Sequence, residues 1–163
     1  YRHRGELVAA TGAVDAMSRA LVGLFRAELP LRSLYRVDRF GWSAQLQGAD
    51  DYRSMAAGNS SAFNCRQVVN RPGVRSPHSY GRSLDLNPWE NPYRSATGLV
   101  PNSWWASRSH PRVAWRSSEH LFVRVLGAAG LRWTYGTGDA HHFDVAGPGR
   151  VVARHRCGDV VCH

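Results

Sequence analysis

The chain has 163 residues and a formal net charge of +9, a length that suits one compact domain with its own core. A hydrophobic fraction of 43% excludes an intrinsically disordered chain, and no apolar run approaches the roughly 20 residues of a membrane-spanning helix. All 21 basic residues are Arg, and the chain contains neither Lys nor Ile. Because Lys and Ile codons are rich in A and T, this bias indicates a GC-rich coding genome and weakens the charge as support for a polyanionic partner.

The first part of the chain predicts one clear helix among weaker elements. Residues Gly5 to Ala10 predict a strand, and Leu34 to Val37 predict a second, shorter one. Apolar residues recur at helical spacing between them, which predicts a helix from Val14 to Glu28 that ends before Pro30. The polar and small residues from Gln47 to Ser61 indicate a long loop.

The remaining elements are short and irregularly ordered. Strands are predicted at Phe63–Val69, Ser83–Leu86, His141–Val145 and Arg150–His155, and a helix at Ser118–Ala129. Turns and prolines indicate loops at Asn70–Gly81 and Asn87–Arg112. Because strands and helices do not alternate regularly, the pattern favours an α+β fold, a small antiparallel sheet flanked by helices, over a doubly wound sheet.

Two segments carry the residues suited to metal chemistry. His78 and Asp85 lie seven residues apart across a turn that contains glycine, so both side chains can reach one point. A second imidazole, from His141 or His142, would complete two His and one carboxylate, the ligand set of a catalytic zinc site with an open position. A zinc hydrolase also needs a general base, and Asp139 lies three residues before His142. Spacing alone is a weak signal and also fits a hydrogen-bonded loop histidine and aspartates that cap turns.

The motifs around these residues resemble those of a known family. Residues 76–85 read S-x-H-x-x-G-x-x-x-D, residues 85–93 continue as D-x-N-P-x-x-N-P-Y, and residues 139–143 read D-x-x-H-F. Residues 60–66 are similar to the segment that carries the family's active-site Arg. Together these segments resemble the zinc peptidases that include D-alanyl-D-alanine carboxypeptidases and L-alanyl-D-glutamate endopeptidases of bacterial cell walls and phage lysins. The resemblance covers residues 5–145 and implies the zinc peptidase fold of that family.

The resemblance assigns roles residue by residue. It implies that His78, Asp85 and His142 ligate one Zn²⁺ per chain. It implies that Asp139, where the family often has Glu, is the general base and later the acid that protonates the leaving amine. Arg66, expected on the polar face of its strand, would stabilise the oxyanion of the substrate carbonyl.

Three further residues flank these positions. Ser76 and Tyr80 are candidate substrate-binding residues, although Ser76 also suits a turn and Tyr80 also suits packing. His141 is an extra imidazole beside His142, and neighbours on an extended segment point to opposite faces. We therefore expect His141 to lie in the outer shell or at the rim of the site, with its role as the true ligand as the alternative.

The activity implied is hydrolysis of amide bonds in peptidoglycan stem peptides. The two options are an L-Ala–D-Glu endopeptidase, which the pattern resembles slightly more, and a D-Ala carboxypeptidase. A catalytically silent wall-binding module of the same fold is the alternative. A nucleic-acid binder is disfavoured because the Arg residues are spread along the whole chain. We expect a monomer without a transmembrane segment, outside the cell or associated with the cell wall, where basic charge would favour an anionic polymer.

Two of the three cysteines lie close to the C-terminus, where we expect the domain to end. We expect residues 1–156 to form the catalytic domain and residues 157–163 a tail. The spacing of Cys157 and Cys162 allows a small disulfide loop, with a reduced tail as the alternative. Cys65 lies within a predicted strand and is expected to be a buried free thiol.

Overall fold

The computed structural model describes residues 5–147, and within them the chain is a mixture of helices and short strands. The helices are α1 (Thr11–Arg26), α2 (Asp51–Ala56) and α3 (Leu121–Ala128). The strands in chain order are β1 (Ser33–Leu34), β2 (Trp42–Ser43), β3 (Gly48–Ala49), β4 (Asn59–Ser60), β5 (Gln67–Val68), β6 (Arg71–Arg75), β7 (Ser83–Asp85), β8 (Tyr93–Ser95), β9 (Gly98–Val100), β10 (Leu131–Arg132) and β11 (His142–Val145). The predicted α+β class is confirmed.

A three-stranded antiparallel sheet organises the molecule. Its strand order is β10-β11-β7, and the other strands form two-stranded pairs. Leu84 of β7 lies directly opposite Phe143 of β11, and both are fully buried. Residues directly opposite in an antiparallel pair share a face, so the flanking residues of both strands turn to the other face. One face of the sheet therefore enters the core, and the other is free to hold polar side chains.

The core lies between this apolar face and two helices. Helix α1 contributes Met17 and Leu24 together with three buried alanines, which let α3 pack closely against it. The ring of Trp115 stacks on that of Phe122 with their centroids 4.2 Å apart, and the indole nitrogen donates to the Ala140 carbonyl. Through this contact with Ala140, the core extends to the segment that leads into β11.

The elements with a strong local pattern form where the sequence predicts them. The predicted helix Val14–Glu28 is α1, shifted a few residues towards the N-terminus. The predicted strands Ser83–Leu86 and His141–Val145 are β7 and β11. The second predicted helix is shorter than expected, because His120 rather than Ser118 caps it by accepting from the Phe122 N–H.

Other predictions about secondary structure are wrong. Residues 5–10 are extended but form no strand, and residues 47–61 contain α2 instead of a long loop. Asp50 caps α2 by accepting from the Arg53 N–H, and its Met55 is buried in a small second core. Strand β5 is shorter than the predicted strand, and the Pro-rich loop contains the hairpin β8–β9. These elements depend on long-range packing rather than on their own periodicity.

The predicted tail lies outside the described residues. The strand expected at Arg150–His155, the domain boundary at residue 156 and the pair Cys157 and Cys162 all fall there. Cys65 is half-buried and disulfide-bonded, so the prediction of a buried free thiol is wrong. None of the helices between residues 5 and 147 has the length and apolar content needed to cross a bilayer.

Candidate metal centre and its cleft

The polar face of the sheet brings three potential metal ligands together. Asp85 lies directly opposite His142 in the register of β7 and β11, and Asp85 Oδ1 is 3.1 Å from His142 Nδ1. His78 lies in a 3-10 turn, Pro77–Tyr80, and its Nε2 is 3.1 Å from both Asp85 Oδ2 and His142 Nδ1. All three side chains are buried, and one potential ligand atom from each lies within 4.8 Å of the others. This group could hold a metal ion.

The turn that carries His78 is held from both ends. Ser76 caps it, with Oγ accepting from the His78 N–H at 3.3 Å. Gly81 ends it at φ +64°, where a Cβ atom would lie 2.6 Å from the Ala10 nitrogen. His78 Nδ1 is 2.5 Å from the Ala62 carbonyl oxygen. Because a carbonyl only accepts, Nδ1 carries the proton and Nε2 keeps its lone pair for a metal.

His142 is oriented by a carboxylate on its own strand. Its Nε2 is 3.0 Å from Asp144 Oδ1, which also accepts from the Ser83 hydroxyl at 2.7 Å. The other oxygen of Asp144 accepts from Thr134 at 2.5 Å. A carboxylate that holds one ring nitrogen of a histidine leaves the other nitrogen available as a ligand. Asp144 received no role from the sequence, yet strand alternation puts it on the same face as His142.

The donor set fits zinc. Two imidazoles and one carboxylate are the protein ligands of many catalytic zinc sites, which leave a further position for water or substrate. Each imidazole of the group also has a hydrogen-bond partner on its far side, which is the usual outer support of a zinc-binding histidine. The described residues therefore supply the ligands and their orienting partners.

The electrostatics of the group keep its carboxylate charged. Burial alone would raise the pKa of Asp85, but the charges of His78 and His141 and the hydrogen bond of His142 outweigh it and hold that pKa well below its ordinary value. Burial would likewise lower the pKa of His142, while its hydrogen bonds to Asp144 and Asp85 raise it well above the ordinary value. A bound cation could take the place of the proton of His142, and its positive charge would then be stabilised by the same two carboxylates, Asp85 and Asp144.

Asp139 lies beside this group, directly after a short 3-10 turn, Gly136–Gly138. Its side chain is 19% exposed, and its Oδ1 is buried 3.2 Å from His141 Nε2. Burial raises the pKa of Asp139, and the nearby charge of Asp85 adds to that effect, while His141 and His142 oppose it. A carboxylate with a raised pKa that lines a cleft can accept a proton from a reacting group.

His141 is part of the site, not of its rim. It is 3% exposed, and its Nδ1 is 2.7 Å from the Asn91 carbonyl oxygen. Its Nε2 is 3.2 Å from Asp139 Oδ1 and 3.6 Å from Asp85 Oδ2. His141 lies in the turn before β11, where strand alternation does not apply, so both neighbouring imidazoles line the cleft, and the outer-shell role expected for His141 stays a prediction.

Arg66 lies in the same cleft but is held differently from the expectation. It precedes β5 instead of lying on a strand, and it is 7% exposed. Its Nη2 is 2.5 Å from Asp51 Oδ2, and its Nη1 donates to the Gln67 carbonyl at 2.9 Å. Its Nε is buried, and no residue between 5 and 147 accepts a hydrogen bond from it. Asp51 was missed because it lies 15 residues away, on a helix that the sequence did not predict.

The two candidate substrate-binding residues differ in position. Ser76 and Arg66 line a cleft of about 490 Å³ together with the metal-binding group and Asp139. Tyr80 ends the turn that carries His78 and is not among the residues that line this cleft. Ser76 has the turn-capping contact described above, and the structure gives Tyr80 no place at the candidate site.

Replacing Asp51 with Asn should weaken the candidate site without removing a metal ligand. The change takes the charge from a buried ion pair and leaves the guanidinium of Arg66 without a counter-ion, which costs about 3 kcal/mol in such pairs. We expect a lower melting temperature and unchanged zinc content. Thermal denaturation and metal analysis measure both, and Asp50→Asn, on the half-buried helix cap beside it, is the matched control. An unchanged melting temperature would contradict the structural role given to this pair.

Comparison with known families agrees with the geometry. A family model described as D-alanyl-D-alanine carboxypeptidase matches residues 69–145, which is 77 of the 163 residues. Searches of curated proteins and of solved structures found no significant match. The matched stretch holds His78, Asp85, Asp139 and His142, whereas Asp51 and Arg66 precede it. Residues 69–145, which supply the whole metal-binding group, therefore match the D-alanyl-D-alanine carboxypeptidase family of zinc peptidases, as the sequence motifs predicted.

Proposed function

We propose that this chain is a zinc-dependent peptidase that hydrolyses amide bonds in peptidoglycan stem peptides. The observation that carries the proposal is the convergence of His78, Asp85 and His142 beside Asp139 in one cleft. The family match supports a peptidase, and the donor set favours zinc. Within this activity we favour an L-Ala–D-Glu endopeptidase, with a D-Ala carboxypeptidase as the second option.

The three ligands would hold one Zn²⁺ per chain. When bound, the ion would supply Lewis acidity that polarises the scissile carbonyl and makes the attacking water more acidic. Asp85 contributes the negative charge of the ligand set, and its depressed pKa keeps it ionised across the working pH range. Ala62 and Asp144 hold the two imidazoles in the orientation that directs one lone pair of each to the centre.

Asp139 would transfer a proton from the attacking water to the leaving amine. It takes a proton from the attacking water as the new C–O bond forms, and it gives that proton to the amine nitrogen as the C–N bond breaks. Its raised pKa brings it closer to neutral pH, where one group can serve first as base and then as acid. His141, 3.2 Å from the Asp139 carboxylate, would keep that side chain turned towards the cleft.

Arg66 would stabilise the charge that develops on the carbonyl oxygen. A guanidinium that is held in place before the reaction stabilises the transition state more than a mobile one. It does not have to reorient as negative charge develops on the carbonyl oxygen. Asp51 and the Gln67 carbonyl fix this guanidinium at the wall of the cleft. The charge that Arg66 presents to the substrate is reduced by Asp51, so its main contribution would be a directed hydrogen bond.

The substrate implies where the protein works. Peptidoglycan lies outside the cytoplasm, so we propose an extracellular or wall-associated location and a monomeric enzyme. The net charge of +9 would favour an anionic wall over a neutral one.

Mass spectrometry of defined muropeptides after digestion tests the proposal. We expect zinc-loaded protein with about one ion per chain to cleave after L-Ala or to remove one D-Ala, and we expect chelation to abolish cleavage until zinc is restored. Zinc-loaded protein that binds cell walls and cleaves no peptide would instead indicate a silent wall-binding module. A folded protein that binds no zinc would overturn the proposal.

A further inference from the structure

Two indole rings hold one backbone carbonyl beside the candidate site. The carbonyl oxygen of Ala140 accepts a hydrogen bond from Trp115 Nε1 at 2.6 Å and another from Trp133 Nε1 at 2.9 Å. A carbonyl oxygen has two lone pairs, so these two donors use its full capacity. Ala140 is buried and links the proposed base, Asp139, to His141. The two indoles therefore act on the short segment that carries both side chains.

The position of Asp139 depends on this segment more than on contacts of its own side chain. Among residues 5–147, the one ion-pair partner of the Asp139 carboxylate is His141, and no hydrogen bond to another side chain accompanies it. Because His141 lies on the same segment, this contact does not connect Asp139 to the rest of the protein. The Ala140 N–H makes such a connection, but its bond to the Pro92 carbonyl is long, at 3.4 Å. The shorter bonds to the Ala140 carbonyl therefore hold the backbone next to the base.

The two indoles differ in the rest of their surroundings. Trp115 is fully buried and stacks on Phe122, so its ring belongs to the core. Trp133 is half-buried at the edge of the core and directly follows β10. Its bond to Ala140 spans seven residues and closes the loop 134–139, at whose end Asp139 lies. Because closing a loop restricts the conformations open to it, Trp133 is the donor that limits the movement of this loop.

We infer that Trp133 is a positioning residue for the proposed hydrolysis, whose indole N–H holds the Ala140 carbonyl and thereby keeps Asp139 within reach of the attacking water. This inference rests on the proposed function. Trp115 holds the same oxygen from the core, so loss of the Trp133 bond should loosen the segment without unfolding the protein. A displacement of about 1 Å at a reacting group can cost roughly 10²-fold in rate. Since one of the two donors remains, we expect a smaller loss, of about tenfold in kcat.

A substitution that removes only the N–H tests the inference. Trp133→3-benzothienylalanine replaces the indole N–H with sulfur and keeps the size and shape of the ring, whereas Trp133→Phe also removes ring area. In both variants we expect kcat on the cleaved muropeptide to fall about tenfold, with KM changed by less than about twofold and zinc content unchanged. The same two replacements at Trp104, an exposed indole that is not among the residues lining the cleft, are the matched controls and should leave kcat unchanged.

A double-mutant cycle separates positioning from a merely structural role. If Trp133 acts through Asp139, the benzothienylalanine should cost about tenfold in kcat in the otherwise unaltered protein and less than about twofold in an Asp139→Asn background, where the base is already lost. An equal loss in both backgrounds would contradict the inference. An unchanged kcat, or a loss that lies wholly in KM, would contradict it as well.

Hydrogen exchange gives a readout that does not need catalysis. The Ala140 N–H donates to the Pro92 carbonyl and the His142 N–H to the Asp139 carbonyl, so both amides should be protected. We expect Trp133→3-benzothienylalanine to speed their exchange about tenfold, and the Trp104 control to leave it unchanged.

Failure of the proposed function gives a different result, because the unaltered zinc-loaded protein would then cleave no muropeptide. The exchange rates decide the inference in that case. Faster exchange at Ala140 and His142 in the Trp133 variant would support the hold on this segment, and unchanged rates would overturn it.

Discussion

An Asp139→Asn protein should keep its zinc and lose about 10³-fold in kcat/KM, within the range of roughly 10² to 10⁴ typical of a positioned general base. The amide has nearly the shape of the carboxyl group but cannot accept the proton of the attacking water. Asp139 is not among the three residues that form the metal-binding group, so the metal should remain. Steady-state kinetics on the cleaved muropeptide and metal analysis of the same sample measure both quantities.

The pH profile gives this prediction a second readout. Because the pKa of Asp139 is raised, the carboxylate is present above that raised pKa, and activity should fall as the pH drops through it. That acidic limb should begin at a higher pH than an ordinary Asp would give, and it should be missing from the residual activity of Asp139→Asn. Asp15→Asn, an exposed aspartate of α1, is the control for loss of one negative charge. If Asp139→Asn kept more than a tenth of the activity, another group would have to be the base.

A His142→Ala protein should lose zinc, whereas His141→Ala should retain it. His142 Nδ1 lies 3.1 Å from both partners of the metal-binding group, while the nearest contacts of His141 Nε2 are the carboxylates of Asp139 and Asp85. Removing an orienting partner of a zinc site typically costs 10- to 100-fold in metal affinity, so we expect removal of a ligand to cost more than about 100-fold. Competition with a chromogenic chelator measures this affinity.

The two adjacent imidazoles control for each other, since both are buried and both substitutions remove the same ring. Loss of zinc from His141→Ala with retention in His142→Ala would show that the ligand assignment is wrong by one residue. Loss from both would make His141 a fourth ligand. His141→Ala with intact zinc should still lower kcat, because its contact with the proposed base is lost.

Local patterning predicted most of the centre of the candidate site, and the family resemblance selected His142 over His141. Alternation along β7 and β11 separates the core residues Leu84 and Phe143 from the polar residues Asp85 and His142. The turn motif before β7 places His78 over the same strand. These features depend on short stretches of chain, whose conformation is set by periodicity, capping and glycine. For the same reason α1 and the α+β class were predictable.

The surroundings of that centre depend on segments that are distant in the chain. Asp51 pairs with Arg66 across 15 residues, and Asn91 contacts His141 across 50. Helix α2 is too short to be stable by itself, so its formation and the place of Asp51 depend on tertiary packing. The sequence by itself therefore determined which residues could bind a metal and act as the base. Only the tertiary structure decided which charges hold Arg66 and which imidazole faces Asp139, because those contacts form when separate segments pack around one core.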